Sequence, residues 1–294
     1  MAVIVFLGTP AFAVPSLERV AKDVVAVYTQ PDRPRGRGQE MAMPPVKEAA
    51  LSLGIPVRQP LKIRGVVDEL RAWKPDVMIV VGYGQIISQS ILDIPPLGII
   101  NVHASLLPKY RGAAPIQWAI ARGETKTGVT TMRINAGLDT GDMLLMWETQ
   151  IGAEETAVEL SDRLAVAGAD LLARTLDELL RITPEPQNDS QATLAPILKK
   201  EDGRIDWTRP ARETANRVRG FQPWPGCYTF ADGKKLGIWR ARAVEGSMPA
   251  GAVDSGFRVG CREGLLEVIE VQPEGKKRMS AAAFLSGHRV EVLG

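Results

Sequence analysis

Apolar residues fall in short blocks along the first 150 positions, and polar or turn-forming residues separate them. Val3 to Leu7, and runs near 24–29, 55–58, 76–81, 98–102, 128–134 and 143–149, have the length of buried strands. Helical signals fill several of the gaps. Thr9 can cap a helix that has Pro10 at its first position, and Pro44-Pro45 can open another that ends at Gly54. Thr156-x-x-Glu159 is a capping box, and Leu160, Leu164, Ala167 and Leu171 follow it at helical spacing. Strand and helix in alternation predict an α/β domain over residues 1–182, with an open, mostly parallel sheet and helices on both faces.

The pattern changes after residue 182. Residues 183–198 are polar, include Pro184, Pro186 and Pro196, and lead a linker that runs to 204. A short helix over 211–219 comes next. Brief strand-like runs follow near 226–231, 235–244, 251–253, 256–261, 264–270 and 289–293, broken by Gly, Asp and Pro. Short strands with turn signals predict a small β-barrel over 205–294. Trp224, set between prolines beside Gly226, is expected to pack one end of that barrel.

Composition adds little that conflicts. Of the 294 residues 45% are apolar and 24% charged, as in globular proteins. No apolar stretch, Val77 to Val81 among them, is long enough to cross a bilayer. The chain starts directly on a strand-like run with no basic lead, which argues against a secretory signal. Cys227 and Cys261 stand far apart and read as reduced, part-buried thiols, which suits the cytoplasm. Net charge is +2 but uneven. Residues 199–294 hold 17 Lys/Arg against 12 Asp/Glu, and residues 1–198 hold 19 against 22. Scatter and an anionic partner for the tail explain that offset equally well.

Residues 101–112, Asn-Val-His-Ala-Ser-Leu-Leu-Pro-Lys-Tyr-Arg-Gly, carry the chemistry. Asn101 and His103 are two apart at a strand end, so they project to one side. A carboxamide that donates to a developing oxyanion and an imidazole that moves a proton suit a reaction at a carbonyl. Asp139 lies in the glycine-bracketed loop 137–142 after another strand, where it can orient His103 and favour its protonated form. Asp142 is a second acidic candidate; Asp139 is favoured, with Asp142 in a supporting place. Ser105 does not sit on a nucleophile elbow, and two histidines and two cysteines without ligand spacing argue against a metal. Gly8-Thr9-Pro10 and Gly82-Tyr83-Gly84 do not make a dinucleotide fingerprint. The turn over 82–87 is either a tight connection or a backbone-lined pocket wall. Residues 29–43 form a long polar insertion with Arg33, Arg35 and Arg37, suited to phosphate. Lys199, Lys200, Lys276, Lys277 and Arg278 add a basic track to the tail, although the 276–278 cluster by default is a solvated turn.

These residues resemble a known family. Ser105 to Pro108, with Asn101, His103 and Asp139, is similar to the core shared by enzymes that use 10-formyltetrahydrofolate. That core alone also fits glycinamide ribonucleotide formyltransferases, sugar-amine formyltransferases and a formyltetrahydrofolate hydrolase domain. Residues 29–38, 112–117, 221–226 and 275–280 narrow the resemblance to the methionyl-tRNA formyltransferase family along nearly the whole chain. The resemblance implies a Rossmann-like formyltransferase fold with an oligonucleotide-binding-like (OB-like) barrel after it. It makes Asn101, His103 and Asp139 catalytic. Ser105, Leu106, Leu107, Pro108, Gly84, Gln85, Ile87 and Asp142 fall to the folate. Arg33, Arg35, Arg37, Lys199, Lys200, Lys276, Lys277 and Arg278 fall to the tRNA. The expected partners are 10-formyltetrahydrofolate as a consumed donor and initiator methionyl-tRNA, with no metal, no membrane, and action as a monomer. A small sugar-nucleotide amine does not need the basic loop and tail, and a plain nucleic-acid-binding protein does not need the intact trio.

Overall fold

The computed structural model describes residues 2–35 and 40–294, which group into two compact units. The first consists of residues 1–112, 128–149 and 161–194, and the second of 113–127, 150–160 and 195–294.

The first unit is built on strands β1 (Ile4–Gly8), β2 (Val24–Tyr28), β3 (Arg33–Arg35), β4 (Glu40–Ala42), β5 (Val57–Arg58), β6 (Val77–Val81), β7 (Ile99–His103), β8 (Lys126–Arg133) and β9 (Met143–Gln150). Seven of them form one sheet in the order β5-β2-β1-β6-β7-β8-β9. Its pairs from β5 to β7 are parallel, and β7 with β8 is antiparallel. Every residue of β1, β6 and β7 is buried. Such strands must be covered on both faces, which is why β1 and β6 read as unbroken apolar runs and not as alternation. Val5, Leu7, Met78 and Val80 pack in one cluster with Leu70 and Ile91. The helices, in chain order, are α1 (Val14–Val20), α2 (Pro45–Ser52), α3 (Val67–Ala72), α4 (Gln89–Leu92), α5 (Pro115–Ala121), α6 (Ala157–Glu178), α7 (Ala211–Gly220) and α8 (Ala281–Leu285).

The chain runs outward one way from β1 through β2 to β5, then the other way through β6 and β7. The carboxyl ends of β1 and β6 therefore flank a switch point, the usual ligand edge of such sheets. The Thr9 hydroxyl donates to the Tyr83 carbonyl across it, at 3.1 Å. Thr9 therefore does not cap a helix as expected. Pro10 instead precedes a 3-10 turn over Ala11–Ala13, and α1 begins at Val14 with its own proline, Pro15, in the first turn. The insertion after β2 also holds more structure than a loop, since β3 and β4 pair antiparallel, Arg33 opposite Ala42. The box at the start of α6 forms as expected: Glu159 Oε2 accepts from Thr156 N–H at 2.8 Å, and Thr156 Oγ1 accepts from Glu159 N–H at 3.4 Å.

The second unit adds strands β10 (Cys227–Ala231), β11 (Lys234–Val244), β12 (Arg258–Gly260), β13 (Leu265–Pro273) and β14 (Met279–Ser280). They form an antiparallel sheet in the order β10-β11-β13-β12, with β14 on β13. Among the described residues no ladder pairs β12 with β10 directly, but single bridges link the two through the runs near 251–253 and 289–293, in the manner of the small barrel expected. These bridges are Val253 to Val259, Ala252 to Val292 and Ala231 to Leu293. Asp254 Oδ1 accepts from the backbone N–H of Gly256 and of Arg258, each at 2.9 Å, and folds the chain tightly between the run at 251–253 and β12. The core of this unit gathers Phe221, Leu236, Ile238, Phe257, Leu266 and Val271. It also takes Ala121 of α5, where Gly220 lets α7 approach so closely that a Cβ there would stand 3.0 Å from Ala121 N. Both cysteines are free and buried, and burial pushes the Cys227 thiol up to about 12 and that of Cys261 to about 11. Trp224, expected inside, is 54% exposed.

Candidate active site

β7 lies between β6, with Val80 opposite Asn101, and β8, with Thr130 opposite His103. Period two puts Asn101 and His103 on one face of it, and both are buried. The chain then turns sharply. Ser105 Oγ donates to the Lys109 carbonyl at 2.6 Å, and Thr130 Oγ1 of β8 donates to the Ser105 carbonyl at 2.7 Å. The Leu107–Pro108 peptide is cis. This turn brings the Tyr110 carbonyl back to His103 Nε2, at 2.9 Å. A carbonyl only accepts, so Nε2 carries the proton and Nδ1 of the neutral ring keeps a lone pair.

Asp139 arrives from the loop between β8 and β9 with φ of 51°. Gly141 permits the tight return of that loop, because a Cβ there would lie 1.9 Å from the Arg133 carbonyl. Asp139 Oδ2 accepts from Gly112 N–H at 2.8 Å and lies 3.7 Å from His103 Nδ1. Asn101 Nδ2 reaches Asp139 Oδ1 at 3.5 Å. The acid was expected to orient the imidazole. At 3.7 Å it makes a charge contact and not a hydrogen bond. The Tyr110 carbonyl sets the ring plane instead. What results is a carboxamide N–H, a basic imidazole nitrogen and a carboxylate within one contact of each other, at the carboxyl end of a central strand. Such a set can stabilise a new oxyanion and carry a proton.

The other expected residues are placed as follows. Ser105 spends its hydroxyl on the turn, Leu107 is buried, and Leu106 and Pro108 are part-exposed. Gly84 has φ of 81° and no atom nearer than 3.7 Å to a would-be Cβ. Gln85 holds the neighbouring loop, accepting from Ile63 N–H at 2.7 Å and donating to the Pro60 carbonyl at 3.2 Å. Ile87 packs in the apolar cluster beneath the sheet, whereas Ile86 is 91% exposed. Asp142 is exposed, and its carbonyl accepts from Arg133 N–H. Arg33 is exposed on β3, Arg35 ends that strand, and Arg37 lies outside the described residues. Lys199, Lys200, Lys276, Lys277 and Arg278 are exposed in the second unit. The Arg278 guanidinium lies 3.3 Å from the centre of the Trp239 ring, and the Lys235 ammonium 4.1 Å from that of Tyr228. Among the described residues no group of three or more His, Cys, Asp or Glu could hold a metal, and no helix is long and apolar enough to cross a membrane.

Three residues around the trio escaped the sequence reading. Arg111, Gln187 and Thr193 lace the segment after Ile182 onto the site loops. Arg111 Nε donates to Gln187 Oε1 at 2.9 Å, and Tyr110 N–H donates to Thr193 Oγ1 at 2.9 Å. The composition of 183–198 signals only irregular chain, and nothing in it marks these long-range bonds.

Known proteins resemble the chain closely. The Formyl transferase family profile matches residues 3–176, and the Formyl transferase, C-terminal domain profile matches 197–289. A methionyl-tRNA formyltransferase of Solibacter usitatus is 60% identical across 99% of this chain and 98% of its own. Another from Koribacter versatilis is 56% identical across 98% and 96%. Among solved structures, the N-formyltransferase of Helicobacter canadensis, in complex with folinic acid and dTDP-3-aminofucose, superposes with a TM-score of 0.71 at 18% identity, over 95% of this chain and 100% of its own. HypX of Aquifex aeolicus in complex with tetrahydrofolic acid gives 0.62 at 18% identity, over 100% of this chain and 50% of its own. At such identity these two speak for the fold alone.

Proposed function

The chain belongs to the methionyl-tRNA formyltransferase family, and from that premise we propose that it moves the formyl group of 10-formyltetrahydrofolate to the α-amine of methionine on initiator tRNA. The observation that carries the reading is the meeting of Asn101, His103 and Asp139 at the end of β7. The folate donor supplies an activated formyl carbon. The transfer forms a bond from the amine nitrogen to that carbon, breaks the bond from the carbon to N10, and shifts one proton from the amine to N10. Asn101 Nδ2, held by no more than a 3.5 Å bond to Asp139, is available to donate to the oxygen that gains charge. His103 Nδ1 takes the proton from the amine and delivers it to the departing nitrogen. Asp139 steadies the imidazolium in between. Burial of Asn101 and His103 excludes water and strengthens each of these charges.

In this reading the turn Ser105–Pro108, with Gly84, Gln85, Ile87 and Asp142, holds the folate. Arg33, Arg35 and Arg37 contact the aminoacyl end, and Lys199, Lys200, Lys276, Lys277 and Arg278 contact phosphate further along the tRNA. The chain acts in the cytoplasm as a monomer. The test offers the full chain 10-formyltetrahydrofolate together with methionyl initiator tRNA, free methionine or a dTDP-amino sugar. Formyl should appear on the esterified methionine. Formyl on the sugar amine with none on the tRNA would reject the reading.

A further inference from the structure

We propose that the segment Gln187–Thr193 is a positioning strap that aims Asp139 and His103 at each other, with Gln187 as its principal residue. The proposal rests on the catalytic assignment of Asp139 made above.

The side-chain amide of Gln187 has two N–H bonds, and both are used on the Asp139 loop. Nε2 donates to the Asp139 carbonyl at 2.8 Å and to the Gly141 carbonyl at 2.7 Å. These carbonyls bracket Thr140, so one amide group clamps the loop on both sides of its turn. The clamp matters because Asp139 has φ of 51°, in the left-handed region that costs a residue with a side chain free energy unless neighbours hold it. The amide cannot flip without loss. Its Oε1 accepts from Arg111 Nε, and a guanidinium only donates. Arg111 is itself buried, and its other arm donates to Asp189 Oδ1 at 2.7 Å, two residues along the strap.

The remaining contacts close a circuit. Tyr110, Arg111 and Gly112 are consecutive. The Tyr110 carbonyl takes the His103 Nε2 proton, the Arg111 side chain fixes Gln187, and Gly112 N–H holds Asp139 Oδ2. The strap supports this tripeptide as well. Thr193 Oγ1 accepts from Tyr110 N–H at 2.9 Å, and the Thr193 carbonyl accepts from Arg111 N–H at 2.8 Å. One short piece of chain thus sets the carboxylate through the Asp139 main chain and the imidazole through the Tyr110 carbonyl. Gln187 touches neither reacting side chain. It acts through Asp139, and a displacement of about 1 Å at such a group is enough to slow a reaction about 10²-fold.

The experiment is a double-mutant cycle in single-turnover formyl transfer, with tetrahydrofolate binding measured in parallel. Gln187→Met keeps the length and packing of the side chain and removes all three hydrogen bonds. It should slow transfer on the order of 10²-fold with folate affinity within about twofold of the wild type. In an Asp139→Asn background the same change should add little, because residues that act as a unit are not additive. Equal slowing in both backgrounds, or a normal rate for Gln187→Met alone, would overturn the strap. Should Gln187→Met fail to fold, Arg111→Met removes the donor that orients the amide and must give the same non-additivity. A normal rate for Asp139→Asn by itself would instead remove Asp139 from the chemistry, which is the failure of the earlier reading and not of this one.

Discussion

Asn101 and His103 differ in what they should lose on truncation. In the proposed reaction both act on charge that exists only at the transition state, so each change to alanine should depress kcat and leave folate binding near normal. For Asn101→Ala the fall should be about 10²–10³-fold, the usual cost of one oxyanion donor. Rapid-quench transfer assays beside folate titration separate the two quantities, and parallel losses in both would mean that these groups bind and do not catalyse. The sequence displayed this pair because period two in a strand is short-range information. Asp139 was visible through its glycine-bracketed loop. Its working distance was not: the 3.7 Å gap to His103 depends on the Tyr110 carbonyl having claimed the far side of the ring. Gln187 was invisible, since its bonds to Asp139 and Gly141 cross 48 and 46 residues and leave no local mark.

Elements obey local signals where the side chains involved have no stronger competing partner. The box at the head of α6 formed as the motif predicts because its two members lie at the surface and bond each other. The head of α1 departed from its motif because the Thr9 hydroxyl is engaged by Tyr83 in the adjacent strand-end turn. The α6 cap has a testable pH signature. The backbone N–H and the hydroxyl of Thr156 hold the Glu159 carboxyl below its ordinary range. A depressed carboxylate contributes stability above its unfolded value, near about 4.3, and loses it as pH falls through the folded value. Thr156→Ala should therefore cost about 1 kcal/mol at neutral pH. The difference from wild type should shrink toward about pH 3, read by urea unfolding at both pH values. A difference that stays constant across that range would assign the effect to helix propensity and not to the box.

For the molecule as a whole, the pattern of apolar runs and turn signals foretold an open parallel sheet followed by a small barrel-like β part, and both are present. Which edges meet was not legible, because the two tail runs join β12 and β10 only by single long-range bridges. The charge offset supports a prediction at the same scale. Lys276, Lys277 and Arg278 sit together, exposed, between β13 and β14, so their replacement by glutamine in the full chain should weaken initiator-tRNA binding. The plot of log affinity against log salt should become shallower by up to about 0.9 for each phosphate that is no longer neutralised. Unchanged affinity and slope across a salt series would leave the cluster as a solvated turn.

The compact units do not follow chain order, and this has a consequence for how the protein comes off the ribosome. α5 ends at Ala121, yet α7, which packs against it through Gly220, begins only at Ala211. At synthesis rates of about 5–20 residues per second, those intervening residues take on the order of 5–20 s to emerge. During that interval Ala114 and Ala121 have no core to enter, while much of the parallel sheet beside them in sequence is already complete. The nascent chain passes through a long window in which the first unit is being completed while α5 still lacks its partner helix. Completion of the second unit therefore waits on α7, and a chaperone that binds short apolar segments is expected to meet the nascent chain in that interval.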